Sequence, residues 1–298
     1  MTSILVAGVA VLDFVFHMDE FPRLPEKYRA SGAAISGGGN AANAAVAIAR
    51  LEGDAHLSSR LGDDQIADMI LVDLQNDGVN TNLIKRYEDH RSSFSSIYID
   101  ATGERQIMNF RDTALPTGGG WMAQAAPSEL HAVLADTRWA EGALAAMEAA
   151  KVRNIPGVMD AEAPVLEAEA AVYAASHVAF SAQGALDFTG LDDVEQSALK
   201  ADSMLPGKVI VTDGENGVVM IEEGQANWFP AFKITPVDTL GAGDIWHGAF
   251  TLALGEGMAE AQAIQFASAA AAIKCGRKGG RDGAPTRLEV SQFLKDKA

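Results

Sequence analysis

Apolar residues along the chain form short runs, separated by longer segments with helical spacing. The first run, residues 3–12, is almost continuous and contains one glycine, which is typical of a central strand covered on both faces. Similar short runs predict strands at 132–135, 156–160, 177–181 and 208–212. Continuous runs of this kind, without alternation, indicate a sheet that is buried on both sides.

Helical periodicity occupies the segments between these strands. Residues 40–51 are rich in alanine with helical spacing, and residues 64–76 are amphipathic up to Gly78. Further helices are predicted at about 140–151, 164–175 and 192–204. The alternation predicts an α/β fold with a doubly wound, mostly parallel sheet and helices on both faces.

Two inserted segments break this alternation. Residues 14–35 and 93–110 have the pattern of antiparallel β structure, the second with a turn at 102–103. We expect them to form a small β-sheet lid over a site, within a single domain that spans residues 1–298. A lid with exposed strands is also a candidate for pairing with a second copy of the chain, as a homodimer.

Composition narrows the class of function. Hydrophobic residues make up 48% of the chain, too many for a disordered protein. The 23 basic and 40 acidic residues give a net charge of −17, which argues against nucleic acid as a partner. The single cysteine, Cys275, excludes an intrachain disulfide and fits a reducing cytoplasm. The apolar N-terminal run lacks the basic start of a signal peptide, and no run predicts a membrane span.

The segment D-T-L-G-A-G-D, residues 238–244, has the clearest chemistry. Gly241, Ala242 and Gly243 let backbone N–H groups approach a ligand closely. If a helix begins at Asp244, its N-terminus favours an anion at the same place. Asp244 could then accept a hydroxyl proton while the loop holds the charge that moves in phosphoryl transfer. The plain alternative is a glycine-rich turn in which Asp244 caps the helix.

A second glycine-rich segment opens the predicted helix at 40–51. Gly38 and Gly39 allow a close backbone approach, and Asn40 and Asn43 offer polar side chains at the helix start. These features suit a polyhydroxylated ligand. The segment is neither a dinucleotide-binding fingerprint after a first strand nor a Walker A loop.

A third glycine-containing segment lies at residues 209–221. A strand ends at Thr212 and is followed by Gly214 and Gly217. Taken alone, this segment is best read as a hairpin turn.

Together the three segments resemble one family, the PfkB or ribokinase-like carbohydrate kinases. G-G-N-A-A-N at 38–43, T-D-G-E-N-G at 212–217 and D-T-L-G-A-G-D at 238–244 occur in that family's order and spacing. The resemblance extends over nearly the whole chain. It implies a ribokinase-like α/β fold with a small β lid and the ATP-dependent transfer of a phosphoryl group to a sugar hydroxyl.

The resemblance also implies a role for the residues of each motif. It makes Asp244 the catalytic base beside an anion hole. The matching residues are Gly241, Ala242 and Gly243 for the anion hole, Asp13, Gly38, Gly39 and Asn43 for the sugar hydroxyls, and Thr212, Gly214 and Gly217 for the nucleotide. The C-terminal helix at about 260–275 is expected to flank the adenine.

The cofactors implied are ATP, Mg²⁺ and, in many family members, a monovalent cation near the equivalents of Asp238 and the 275–281 loop. One motif departs from the family pattern. Many relatives carry N-x-x-E to help place Mg²⁺, where this chain reads S-A-Q-G at 181–184. The resemblance therefore leaves the metal ligands unassigned.

Three further residues bear on the acceptor. Lys27 and Asn109 lie in the lid segments, and Arg138 follows the strand at 132–135. A lysine and an arginine at one end of a sugar would suit an anionic terminal group. The sulfofructose kinase branch, whose members phosphorylate 6-deoxy-6-sulfofructose at O1, is resembled by four segments: EKY at 26–28, GERQIMNF at 103–110, VLADTRW at 133–139 and KCGRKGGRDGAP at 274–285. The alternative is that the lysine and the arginine are solvated surface charges.

Other acceptors and functions stay open at this point. A kinase of a neutral ketose, of ribose or of a keto-deoxy sugar acid would use the same catalytic residues. A nucleoside kinase would need an aromatic wall, for which Phe14, Phe16 and Phe110 are candidates. A catalytically silent sugar-binding protein on the same scaffold is the alternative outside enzymes.

Overall fold

Strands and helices alternate through most of residues 1–297, which the computed structural model describes. The strands are β1 (Ser3–Ala7), β2 (Val11–His17), β3 (Gly32–Gly38), β4 (Asp54–Ser58), β5 (Arg60–Gly62), β6 (Lys85–Tyr87), β7 (Phe94–Ile99), β8 (Arg105–Phe110), β9 (Ala132–Asp136), β10 (Gly157–Ala161), β11 (His177–Ser181), β12 (Lys208–Thr212), β13 (Val218–Glu222) and β14 (Gln225–Phe229). The α-helices are α1 (Asn40–Arg50), α2 (Gln65–Asn76), α3 (Trp121–Ala125), α4 (Ala140–Arg153), α5 (Glu169–Ala174), α6 (Ala182–Thr189), α7 (Val194–Met204), α8 (Ala242–Gly255), α9 (Glu260–Cys275) and α10 (Arg287–Lys297).

The main sheet has eight strands in the order β14-β13-β12-β11-β10-β9-β1-β4. The six strands from β12 to β4 are parallel, and β13 and β14 add an antiparallel hairpin at one edge. Every residue of β1, β9 and β10 is buried, because helices cover both faces. The predicted doubly wound, mostly parallel sheet is confirmed.

Two layers of helices complete the core. Apolar residues of α1, α8 and α9 pack on one face of the sheet, and those of α4 to α7 pack on the other. Helices α1 and α8 approach so closely that a Cβ on Gly248 would lie 2.5 Å from the carbonyl oxygen of Ala44. This approach matters because α1 and α8 carry the two glycine-rich segments at their N-termini.

A separate four-stranded sheet, in the order β3-β2-β7-β8, is called the lid sheet below. Strands β2 and β7 pair in parallel, and the two outer pairs are antiparallel. The β structure predicted for 14–35 and 93–110 is confirmed, with β2 starting earlier and β3 ending later than expected. The turn at 102–103 is also present, with the Asp100 carboxylate accepting the Thr102 N–H at 2.9 Å.

The prediction of one strand over residues 3–12 is wrong. The chain leaves the main sheet after β1 and enters the lid sheet at Val11. At Gly8, between them, a Cβ would overlap the carboxylate of Asp136. The apolar run continues from the buried β1 through Ala10 to Leu12, the one buried residue of β2, so periodicity does not show the break.

Other elements differ from the sequence pattern in detail. The helix predicted at 164–175 is a 3₁₀ turn (Val165–Ala168) followed by the short α5. Helix α6 was not predicted; it begins where the Ser181 hydroxyl accepts the N–H of Gly184 at 3.0 Å. No helix within residues 1–297 combines the length and the apolar character needed to cross a bilayer.

Candidate active site

Helix α8 begins two residues before Asp244. Gly241 is the N-cap in a left-handed conformation (φ 76°), and Ala242 is the first helical residue. Glycine adopts this conformation at little cost, and it sets the start of the helix. Asp244 therefore lies at the third helical position, so the expectation that the helix begins there and the alternative that Asp244 caps it are both wrong.

The N-terminus of α8 presents free amides. The N–H groups of Gly241 and Gly243 have no acceptor among the residues described, whereas Ala242 donates to the carbonyl of Thr239 at 3.2 Å. A Cβ on Gly243 would meet nothing within 4 Å, so this residue borders open space. With the positive end of the helix dipole, these amides form a site that favours an anion.

The Asp244 carboxylate lies in the first turn of α8 and is held from α1. Its Oδ2 accepts a hydrogen bond from Nδ2 of Asn43 at 2.7 Å. Burial raises the pKa of Asp244 well above its ordinary value, and the nearby Asp160 carboxylate raises it further, while the Asn43 hydrogen bond acts in the opposite direction. A carboxylate with a raised pKa is a stronger base for a hydroxyl proton.

Two more buried carboxylates lie at the carboxyl ends of β9 and β10. The Asp136 side chain accepts the N–H groups of Val9 at 2.9 Å and Ala41 at 3.1 Å, which joins the start of α1 to the β1–β2 connection. Burial raises the pKa of Asp136 to about 6. Asp160 lies 3.2 Å from Nε2 of His247 on α8, and burial together with the Glu162 carboxylate raises the pKa of Asp160 to about 7.

The Glu162 side chain, just after β10, links the start of α1 to the connection between β9 and α4. Its Oε2 accepts hydrogen bonds from Asn40 at 2.8 Å and from Nη2 of Arg138 at 2.9 Å. Neither Asp160 nor Glu162 was recognised as a site residue in the sequence. The sequence did contain a signal for these two residues, D-A-E at 160–162, where a strand ends. The carboxyl ends of parallel strands share one edge of the sheet, so carboxylates at this position lie beside those of the neighbouring strands.

Four polar residues of the lid sheet, Ser36, Asp13, Ser95 and Asn109, lie side by side on neighbouring strands and are called the polar row below. Asp13 pairs with Ser36 on one side and with Ser95 on the other, and Ser95 pairs with Asn109. Nδ2 of Asn109 donates to the Ser95 hydroxyl at 3.1 Å. Because paired residues point to the same face of a sheet, Asp13 and Asn109 lie on one face.

The glycines at the start of α1 lie directly against this row and the core. A Cβ on Gly38 would overlap the Asp13 carboxylate. Gly39 has a φ of 97°, and a Cβ there would lie 2.5 Å from the carbonyl oxygen of Val9. The structure therefore brings Asp13, Gly38 and Gly39 together with Asn43 at one end of α1.

Lys27 is not joined to this group. It lies in the connection between β2 and β3, its side chain is exposed, and it has no ion pair or side-chain hydrogen bond among residues 1–297. Of the three residues predicted to hold an anionic group, Arg138 contacts Glu162 and Asn109 belongs to the polar row. Lys27 forms no hydrogen bond or ion pair with either of them.

A cavity of about 990 Å³ opens beside the N-terminus of α8. Thr212, Gly214 and Gly217 line it from the β12–β13 connection, and Ala242 and Gly243 line it from α8. One cavity is therefore lined by the three residues expected to contact the nucleotide. It is also lined by two of the three residues expected to form the anion hole. The last turns of α9 form another wall of this cavity, and the resemblance implies that this helix flanks the adenine.

Comparison with known proteins places this arrangement in a family. Residues 1–287 match the model of the pfkB family carbohydrate kinases. The chain is 28% identical over 298 residues to a ribokinase of Bacillus subtilis, covering 99% of this chain and all of the relative. It is also 28% identical to a fructokinase of Vibrio alginolyticus, over 86% of this chain and 91% of the relative.

Solved structures agree with this result. A putative ribokinase from Agrobacterium tumefaciens superposes with a TM-score of 0.90 at 34% identity, covering 99% of this chain and 98% of that one. A ribokinase from Thermotoga maritima gives a TM-score of 0.87 at 29% identity, covering 99% and 100% of the two chains. The chain therefore belongs to the PfkB family of carbohydrate kinases and has the ribokinase-like fold.

Proposed function

We propose that this chain transfers the γ-phosphoryl group of ATP to a hydroxyl group of a sugar bound between the main sheet and the lid sheet. The observation that carries the proposal is the position of Asp244. Its carboxylate has a raised pKa and lies in the first turn of α8, next to the free amides of Gly241 and Gly243, of which Gly243 borders the 990 Å³ cavity. A base and an anion site side by side are what phosphoryl transfer to an alcohol requires.

The protein's part in the reaction follows from these groups. The acceptor hydroxyl would lie against Asp244, which removes its proton, and Asn43 keeps the carboxylate pointing at the acceptor. The amides of Gly241 and Gly243 would stabilise the charge on the transferred group. Closure of the lid sheet over the sugar would exclude water and limit hydrolysis of ATP.

We expect Mg²⁺ to bind together with the nucleotide and not in a site formed entirely by protein side chains. Among residues 1–297, no group of three or more His, Cys, Asp or Glu side chains could hold a metal ion. At the place of the family's N-x-x-E motif, the Ser181 hydroxyl is occupied in capping α6. Mg²⁺ commonly keeps several waters and binds through substrate phosphates, which agrees with this sparse donor set.

For the acceptor we propose 6-deoxy-6-sulfofructose, phosphorylated at O1. Arg138 uses only Nη2 in its contact with Glu162, so most of its five donors remain available for a sulfonate. Asn109 faces the same side of the lid sheet as Asp13, which supports a sugar lying between the row and α1. Lys27 would have to reach the sulfonate by movement of its connection.

A neutral sugar is the second candidate. The Glu162 carboxylate neutralises Arg138, and a carboxylate and an amide at this position also suit sugar hydroxyls. Relatives named ribokinase and fructokinase support the same choice. A keto-deoxy sugar acid would, like the sulfosugar, use the spare donors of Arg138.

The nucleoside alternative loses its main support. Side chains alternate across a strand, so Phe14 and Phe16 lie on the opposite face from Asp13. Phe110 pairs with Phe94, which pairs with Leu12, and it lies on that opposite face too. These rings do not form a wall beside the acceptor.

The opposite face of the lid sheet is a candidate for the homodimer. Ile35, Met108 and Phe110 are 55%, 71% and 41% exposed there. Apolar side chains on an open sheet favour pairing with a second copy. Light scattering after size exclusion, with Met108→Lys as the variant, tests this: a monomeric wild-type protein would contradict it.

An ADP-release assay with a panel of acceptors tests the function. The panel is sulfofructose, fructose, fructose 6-phosphate, ribose, keto-deoxygluconate and adenosine, each with Mg-ATP. Turnover on sulfofructose alone supports the sulfonate proposal, and turnover on fructose or ribose supports the neutral sugar. Sugar binding without ADP release from any acceptor would make the chain the catalytically silent protein.

A further inference from the structure

Lys274, in the last turn of α9, has a side chain with no exposed surface. Lysine is almost never fully buried unless its charge is paired. Its Nζ donates to the carbonyl oxygen of Asp238 at 2.6 Å and lies 3.5 Å from Oδ2 of the same residue. In the hydrogen bonds and ion pairs of residues 1–297, Asp238 thus supplies both of the oxygens that face this ammonium group.

Asp238 connects the ammonium group to the loop that leads into α8. Its Oδ1 accepts the N–H of Leu240 at 2.9 Å, two residues before the helix begins. Its Oδ2 accepts the N–H groups of Gly279 and Gly280, each at 3.2 Å. Its own N–H donates to the carbonyl of Cys275 at 3.2 Å. Lys274, Asp238 and the turn after α9 thus form one closed network behind the anion site.

This network is where the family resemblance implies a monovalent cation. In this chain the oxygens of Asp238 already face two positive charges. One is the ammonium group of Lys274, and the other is the guanidinium of Arg105, which lies 3.2 Å from Oδ1. A potassium ion would add a third positive charge beside a single carboxylate, with strong repulsion at such distances. The residues present therefore do not fit a free monovalent cation.

We propose that the ammonium group of Lys274 takes the place of that cation. As a fixed charge it holds the backbone and carboxylate of Asp238, and through them the loop that carries Gly241 and Gly243. Phosphoryl transfer by this chain then needs no potassium. Lys274 acts as a positioning residue, and the inference rests on the proposed kinase function.

The test compares potassium and choline salts at equal ionic strength. The wild-type protein is expected to show the same kcat and the same thermal midpoint in both salts. Lys274→Ala leaves an empty space and is expected to lose about 10²-fold in kcat, the usual cost of a misplaced catalytic group. Potassium or ammonium ions should restore part of this activity and raise the thermal midpoint of the variant.

Two matched variants exclude simpler explanations. Lys274→Met fills the same space without a charge, so it should lose activity and gain nothing from potassium. Lys278→Ala removes an exposed lysine from the same turn and should behave as the wild type in every salt. Stimulation of the wild-type kcat by potassium, or a Lys274→Ala variant that is indifferent to salt, would overturn the proposal.

The thermal midpoints separate this inference from the proposed function. They need no substrate, so they report on Lys274 even if no acceptor in the panel is phosphorylated. If Lys274→Ala does not fold, the wild-type salt response and the Lys274→Met midpoint still decide. A wild-type midpoint that rises in potassium relative to choline would contradict the proposal by itself.

Discussion

Replacing Asp160 with asparagine removes a buried carboxyl group that changes its charge near neutral pH. Burial and the Glu162 carboxylate raise its pKa from the ordinary 3.8 to about 7. Because the folded pKa lies above the unfolded one, the group stabilises the fold fully below pH 3.8. That contribution is lost as the pH rises through 7. The wild-type protein should therefore lose stability between pH 5 and pH 8, and Asp160→Asn should lose less.

The size of the effect follows from the two pKa values. The full difference corresponds to about 4 kcal/mol in the free energy of unfolding. Somewhat over 1 kcal/mol of this is already lost at pH 5, so about 2–3 kcal/mol remains to be lost by pH 8. For a chain of this size, that changes the thermal midpoint by about 4–12 °C.

The assay measures the thermal midpoints of both proteins at pH 5 and pH 8. His247 contributes with the opposite sign, since burial lowers its pKa to about 4 and its contribution grows as the pH rises from 4 to 6.5. Both proteins contain His247, so its contribution cancels in the comparison. Removing the Asp160 charge also lowers the pKa values of Asp244 and Asp136, which weakens the pH dependence of the variant in the same direction. Asp192→Asn, at an exposed position, is the control. The same pH dependence in Asp160→Asn and wild type would refute the reasoning.

The remaining predictions concern activity. Asp244→Asn should lower kcat by about 10²–10⁴-fold without lowering the thermal midpoint, because the base is lost while a buried carboxyl group of raised pKa is replaced by a neutral amide; near-normal ADP release would overturn its role. In the wild type, kcat should fall as the pH drops through the raised pKa of Asp244; a flat acid limb in the pH profile would contradict this. Arg138→Ala should reduce kcat/KM for sulfofructose by about 10–100-fold and leave fructose unchanged; equal effects on both sugars would remove the sulfonate role. Gly38→Ala places a Cβ in the Asp13 carboxylate and should raise the KM for the sugar, measured against an unchanged KM for ATP.

The sequence was sufficient for the elements with strong periodicity. Helix α1 and strands β9 to β12 lie within one or two residues of their predicted ends, because their burial leaves a clear apolar pattern. The break at Gly8 was missed because the apolar run continues across it, and because the Asp136 carboxylate, which leaves room only for glycine there, is more than a hundred residues away. A close approach between distant segments leaves no local signal.

The same distinction applies to the site residues. Those in a local motif are visible in the sequence, and those that depend on contacts between distant segments are not. Asp244 and its loop could be proposed from the sequence because a glycine-rich segment and a carboxylate stand together in the chain. The start of α8 was misplaced because the choice between Asp and a left-handed Gly241 as N-cap depends on backbone geometry. Glu162 as the partner of Arg138, and Lys274 as the partner of Asp238, arise from contacts across 24 and 36 positions, which spacing alone does not show.

The ion pair between Arg105 and Asp238 gives the two halves of the site a thermodynamic link. Arg105 begins the last strand of the lid sheet, while Asp238 holds the loop that leads to the free amides. The pair is partly exposed, so its strength is about 1 kcal/mol at most. A movement of the lid sheet that breaks the pair loses this free energy, and a ligand that strengthens the pair favours the lid position seen here by the same free energy. Acceptor and nucleotide should therefore increase each other's affinity, reciprocally and by no more than about fivefold.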